Sequence, residues 1–545
     1  MAFGSTWLRR RPALLLLLLG GLSVLLYAGG LAARYPLAAG LQDPRSNWAR
    51  IAGASYPSFA VHLALYLFLA VLYWLAVQLL YHAGQAKRRV PYGGWIIVGI
   101  WLAASVVLWA ISPAGEARDI YDYSFRGHML VEYGGSPLAL VPDQFPDAPY
   151  LAFITWHDHV DTYGPLWEYA SGAVALAVRG WLYLSGGWHS GLPSCPQDAR
   201  SCAMLVAYLT GYRLLAMGAA GLSGWLVVSM VKRQSPGWEQ TALLLWLWNP
   251  LLLISSAVGA HNDLVMLLLV LATLWLLQRR HWLAGLLVLI LAAHVKATVL
   301  ILAPAVGLWL VRQMGWRRAL TYSLATAAIG LLLSWSLYTP LGGWETLPRM
   351  VSERSRYVAN SLHHVAYRLL WERGMAASTL HDITIYWPSL FYVLFAVFTS
   401  IGLLGVRRVP AAGARHEDER LWRAVVVLNG TYLLIGSFWF QPWYCLWVLA
   451  PAVLMPQSRF TRHVLPWLAL GSLWSNVVAD YLPQFYPPPL NRTQRVISVV
   501  TVTWLPAVLA ALIWLWPATA GKWSGKAALV RKHQHSISGV QTKVE

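Results

Sequence analysis

The chain is poor in charge, above all in acids, and poor in cysteine. Only 12% of its 545 residues are charged, while 58% are hydrophobic. A water-soluble domain of this length has no interior large enough for so much apolar surface, so a soluble globular protein is excluded and a polytopic membrane protein is left. Three cysteines rule out a disulfide framework, and no internal repeat suggests a solenoid. Acids number 22 against 41 lysines and arginines, and the formal charge of +19 raises the question of a nucleic-acid partner.

The distribution of that charge answers the question. One alternating set of loops and both termini hold 25 of the 41 basic residues and only five of the 22 acids, so the rest of the chain is almost neutral. The positive-inside rule assigns those loops and both termini to the cytoplasm, and no nucleic acid is needed to explain the surplus. Apolar runs of roughly 17–25 residues recur along the chain, each long enough to cross a bilayer as a helix. Trp (32) and Tyr (26) are abundant, as expected of rings anchored at membrane interfaces.

Reading the loops alternately gives an all-α fold, a polytopic bundle of about 14 transmembrane helices. The spans fall near 12–33, 58–82, 93–112, 204–231, 240–257, 264–279, 282–294, 296–311, 318–338, 382–405, 421–439, 443–457, 464–480 and 494–516. The expected organisation is an N-terminal transmembrane hairpin (1–92), a central module (93–338) with an outer acidic loop (113–203), C-terminal helices (339–521) with an outer loop (339–381), and a cytoplasmic tail (522–545). Arg9–Arg11 precede a long apolar run without a small-residue cleavage site, so that run is read as a span and not as a removed signal. Counting 164–184 as a span would break the charge rule, so it is expected to lie on the outer surface as a juxtamembrane helix. Cys195 and Cys202 follow on the same side, where a disulfide is permitted and free thiols are equally in keeping with the sequence.

Eight acids crowd Glu116 to Asp161, between hydrophobic spans. Asp119, Asp122 and Arg126 recur at helical spacing. A carboxylate there can serve as general base to a hydroxyl, or Asp122 and Arg126 can simply form an i,i+4 ion pair. His261, Asn262 and Asp263 occupy a tight turn between spans, suited to orienting a hydroxyl or to capping a helix. Lys296, beside His294 in another turn, is placed to hold a phosphate or to snorkel to the interface. Arg349, Arg354 and Arg356 suit a phosphate clamp or a solvated face paired with Glu353. Gln441 and Tyr444 open a later span. His157, Asp158, His159 and Asp161 are metal-ligating types at a spacing that matches no defined site, so no metal is assigned. By the charge rule these polar islands meet at the outer face, and ionisable groups converging at membrane depth mark a functional site.

Five strings carry a resemblance: DIYDYSFRGHMLVEYGGSPL (119–138), YGPLW (163–167), NPLLLISSAVGAHND (249–263), HVKATVLILAP (294–304) and QPWYCLW (441–447). In this order the chain resembles the GT-C superfamily of membrane glycosyltransferases, in particular the polyprenol-phosphate-mannose-dependent alpha-mannosyltransferases. The resemblance implies that 93–338 is the catalytic module, that Asp119 is the catalytic base, and that Tyr163 opens a juxtamembrane helix. It implies that Lys296, in a turn where the usual following proline is Ala297, holds the departing phosphate with Arg213 or Arg356. Asp122, His261, Asn262, Asp263, His294, Gln441 and Tyr444 complete the expected substrate-binding set. The implied reaction is inverting transfer of a sugar, mannose by the resemblance, from a polyprenyl-phosphate donor to a glycan, lipid or protein acceptor on the extracytoplasmic side. No cofactor is expected, a divalent cation being the alternative. A lipid or small-molecule transporter or flippase is the competing reading, one that calls for charges along a midplane path.

Overall fold

The computed structural model describes residues 12–186, 199–405 and 414–515, apart from 486 and 488. Among them the chain is helical, with two isolated bridges (Pro36 with Ile111, Ala359 with Trp439) and no strand. Helical segments occupy all fourteen predicted places. Among the described residues, seven helices can cross a membrane by length and composition, or eight if one bent pair is a single span. Three of the other places hold shorter apolar helices: Gly93–Leu108 and Asp263–Gln278 have 16 residues each and Trp282–Ala293 has 12.

The breaks follow from local chemistry. Glu239–Leu247 and Pro250–Ala257 meet at 52°. Pro250 has no N–H to continue the first helix, and the Asn249 side chain accepts from the N–H groups of Leu251 and Leu252, restarting it as a capped helix. The place expected at 443–457 opens as a short turn, Pro442–Cys445, before Leu446–Ala452. These breaks leave polar turns inside a bundle whose buried apolar cluster runs continuously from Leu16 to Ala507.

Two features hold the acidic stretch in place. Arg213, on the helix Ala199–Gln234, is buried and donates to the carbonyls of Trp109 (2.7 Å), Ile111 (2.8 Å) and Val258 (3.3 Å). It ties the exit of Gly93–Leu108 to the turn before His261. From the N-terminal segment, the Trp48 indole donates to the Ser112 carbonyl at 2.7 Å. A Cβ on Gly115 would lie 1.9 Å from that ring, so only glycine lets Trp48 pack against the turn that carries Glu116. The segment expected at 164–184 is the 21-residue helix Pro165–Ser185; it buries Trp167, Glu168, Ser171, Ala175 and Val178 along one face and exposes Leu176, Trp181 and Leu184 on the other. Cys195 lies outside the described residues.

Candidate active site

The chain leaves Gly93–Leu108, makes a short turn at Pro113–Gly115, and starts the helix Asp119–Glu132 with two carboxylates in its first turn. Acids are favoured there by the unpaired N–H groups of a helix start. Asp119 remains 21% exposed, whereas Glu116 and His261 are fully buried around it. His261 Nε2 lies 2.7 Å from Glu116 Oε2, and His261 Nδ1 is 3.8 Å from Asp119 Oδ2. The Tyr123 hydroxyl, one turn along, is 3.4 Å from the same Asp119 oxygen. Gly259 permits the arrangement, because a Cβ there would sit 2.0 Å from the Glu116 carboxylate. The imidazole also lies flat against the Trp443 indole.

Burial raises the proton affinity of Asp119, and the nearby charges of His261 and Lys296 pull it back in part. Burial lowers that of His261, but the Glu116 carboxylate outweighs it and the net shift is upward. The result is an imidazole of raised proton affinity held between two acids.

Asp122 and Arg126 do not pair with each other. Asp122 accepts the N–H of Trp156 (2.9 Å) and of Thr155 (3.4 Å), while Arg126 faces Asp161 at 3.3 Å and donates to the carbonyls of Trp156 and His159. Both side chains therefore fasten the 155–161 loop to the helix. Asp122 is pushed up to about 7, mainly by burial. Glu168, fully buried beside Asp161, is raised well above the ordinary carboxylate range by burial and then by that neighbouring charge.

Lys296 does not project freely into a cavity. Its ammonium holds both oxygens of Asp263 at 2.9 and 3.0 Å, and the Trp447 indole donates to the same carboxylate at 2.7 Å. Three rings surround the ammonium, with centroids at 4.2 Å (Tyr444), 5.2 Å (Trp447) and 5.5 Å (Tyr163). Asn262 is buried with neither amide atom partnered. His294 bonds Ser334 through its ring, and its backbone receives the incoming helix: Gly164 N–H donates to the Val295 carbonyl and Leu166 N–H to the His294 carbonyl.

A cavity of about 110 Å³, open at its mouth, is lined by Asp119, Asp122, Tyr163, Gln441 and Tyr444 of the predicted set. His261, Asp263 and Lys296 stand just behind that wall, through Asp119 and Tyr444. Two predicted cations lie elsewhere, since Arg213 spends its donors on the three carbonyls above and Arg356 is a half-exposed partner of Glu353 at 3.1 Å. Two arginines line the cavity: Arg126, which faces Asp161, and Arg354, whose guanidinium donates to the Tyr444 hydroxyl at 3.0 Å and lies over Trp439. Arg354 was named with Arg349 and Arg356 as a candidate phosphate clamp, whereas Glu116 and Trp443 are residues of the site that sequence reasoning did not single out. His157 bonds Asp143, Asp158 bonds His159 and Asp161 faces Arg126, so the four metal-type side chains are not gathered on one point. Among the described residues no three His, Cys, Asp or Glu side chains are grouped as a metal site.

The alpha-(1->6)-mannopyranosyltransferase family, through the model of its N-terminal domain, matches residues 15–312, more than half of the chain. The chain belongs to this family. A model of glycosyltransferase family 87 matches residues 201–437. Alpha-(1->6)-mannopyranosyltransferase A of Mycobacterium tuberculosis is 26% identical over 455 residues, covering 80% of this chain and 79% of the relative. The protein of the same name from Corynebacterium glutamicum is 24% identical over 209 residues, 38% of this chain and 37% of the relative. GPI mannosyltransferase 1 of Gibberella zeae is 33% identical over 101 residues, 18% of this chain and 24% of the relative. The protein is thus a membrane glycosyltransferase of the GT-C type, and the transporter reading is set aside.

Proposed function

We propose that this glycosyltransferase moves a mannosyl group from a polyprenyl-phosphate donor to a hydroxyl of a glycan, lipid or protein acceptor, with inversion, at the extracytoplasmic face. The observation that carries the reading is the Asp119 carboxylate, the acid that is partly open to the cavity while the Glu116–His261 pair buttresses it from behind. The acceptor oxygen forms its bond to the sugar C1 as the bond from C1 to the phosphate oxygen breaks. The hydroxyl proton passes to Asp119, and polyprenyl phosphate leaves with the electron pair as an anion that needs no acid. A single in-line displacement of this kind inverts the anomeric centre. Burial raises the proton affinity of Asp119, as suits a base, and the nearby charges of His261 and Lys296 pull it back in part.

The sugar is assigned from the mannosyltransferase names of the relatives. The outer face is assigned from the one-sided distribution of Lys and Arg, which keeps the acidic stretch away from the cytoplasm. The test is purified protein with polyprenyl-phospho-β-mannose and hydroxyl acceptors in liposomes, with the product anomer read by NMR. An α-mannosidic bond supports the proposal, and a β-linked product or a strict need for a nucleotide sugar contradicts it.

A further inference from the structure

If the donor is a polyprenyl-phosphate sugar, its phosphate needs a cation, and each cation near the cavity can be checked for one still free to serve. Arg126 is committed to Asp161, Lys296 to Asp263, Arg356 to Glu353, and Arg213 to backbone carbonyls. Arg118 donates to the carbonyls of Pro44 and Ser46. Arg354 alone among these faces the cavity with no carboxylate partner among the described residues. Glu353, its acidic neighbour in sequence, turns to Arg356 and His159.

The surroundings of Arg354 are aromatic. Trp439 lies under the guanidinium, with 5.0 Å to the ring centroid, and Tyr444 receives one N–H at 3.0 Å. An uncompensated cation in such a low-dielectric wall is costly, and the cost is relieved by an anion. Because the Tyr444 oxygen accepts from Arg354, its own O–H is left to donate to the same anion. A guanidinium N–H and a phenol O–H converging on one point suit a phosphate oxygen. Tyr163 lines the same cavity as Asp119 and Arg354.

We infer that Arg354, with the Tyr444 hydroxyl, is the anchor of the donor phosphate, and that Lys296 acts from behind as a positioning charge on Asp263 and Asp119. This assignment rests on the polyprenyl-phosphate reading of the donor. It places the phosphate at the Arg354 end of the cavity and the sugar C1 toward Asp119.

The experiment is equilibrium binding of citronellyl phosphate and of citronellol to the full-length protein in detergent. Wild type should bind the phosphate at least tenfold more tightly than the alcohol, Arg354→Met should abolish that preference, and Arg354→Lys should restore part of it, with thermal melting confirming that each variant is folded. A folded Arg354→Met protein that keeps the full preference overturns the assignment while leaving the donor class intact. A wild-type protein that does not distinguish phosphate from alcohol overturns the donor class as well.

Discussion

His261 lies flat on the Trp443 indole, with ring centroids 3.6 Å apart and planes 14° from parallel. That stacking fixes the imidazole edge-on between Glu116 and Asp119, so two residues from the 249–263 and 441–447 strings set the geometry of an acid in a third. Glu116→Gln should leave the ring stacked but lower its proton affinity. We expect turnover to fall by about tenfold or more with donor affinity little changed, as read by steady-state kinetics with the donor varied. A variant that loses donor binding instead would show Glu116 acting on the donor rather than on the base.

The Lys296–Asp263 pair is buried on both sides. Removing one partner leaves an uncompensated charge and costs about 3–5 kcal/mol, whereas removing both costs less. Lys296→Met should therefore lower the melting temperature more than Lys296→Met combined with Asp263→Asn. Equal losses in the single and double variants would mean that the pair is not coupled.

Gly164 has an ordinary backbone conformation, so its role is space and not flexibility. A Cβ there would stand 2.1 Å from the His294 carbonyl oxygen. Gly164→Ala should push the helix Pro165–Ser185 off the His294–Val295 turn, lowering stability by about 1–3 kcal/mol and disturbing Tyr163 and Lys296 together. Thermal melting and turnover should drop in the same variant, while Gly180→Ala on the open face of that helix should change neither.

Asp122 has its folded-state pKa raised to about 7, chiefly by burial. The folded protein therefore binds the Asp122 proton more tightly than the unfolded chain. Its contribution to stability is fully present below the unfolded value near 4 and is lost as pH rises through about 7. Melting temperature should decline between about pH 4 and pH 7, and Asp122→Asn should make that decline shallower. An unchanged slope in the variant would show that Asp122 does not titrate there.

How much of this was legible in the sequence depended on whether a feature is local. The helix at each expected place follows from apolar runs, and the grouping of the acidic stretch with the His261 and Lys296 turns follows from loop alternation. The lengths were less accessible: Asn249–Pro250 and Pro442 break spans through turn chemistry that a hydrophobic run does not display. Glu116 was hidden because its partner His261 is 145 residues away and only folding joins them. On the short helix Thr346–Ser355 and its end, periodicity could not decide whether Arg354 or Arg356 turns inward. The Asp122–Arg126 spacing suited an ion pair, yet the 155–161 loop supplies each with a better partner.

The most direct test of the account is single-turnover mannosyl transfer by Asp119→Asn. Asparagine keeps the size and the contact with Tyr123 but cannot accept the hydroxyl proton. The account predicts a loss of at least about a hundredfold in rate, with donor binding and melting temperature preserved. Wild-type activity should itself fall as pH drops through a value above the ordinary carboxylate pKa of 3.8, because burial raises that of Asp119. A folded Asp119→Asn protein that transfers sugar at the wild-type rate would contradict the account.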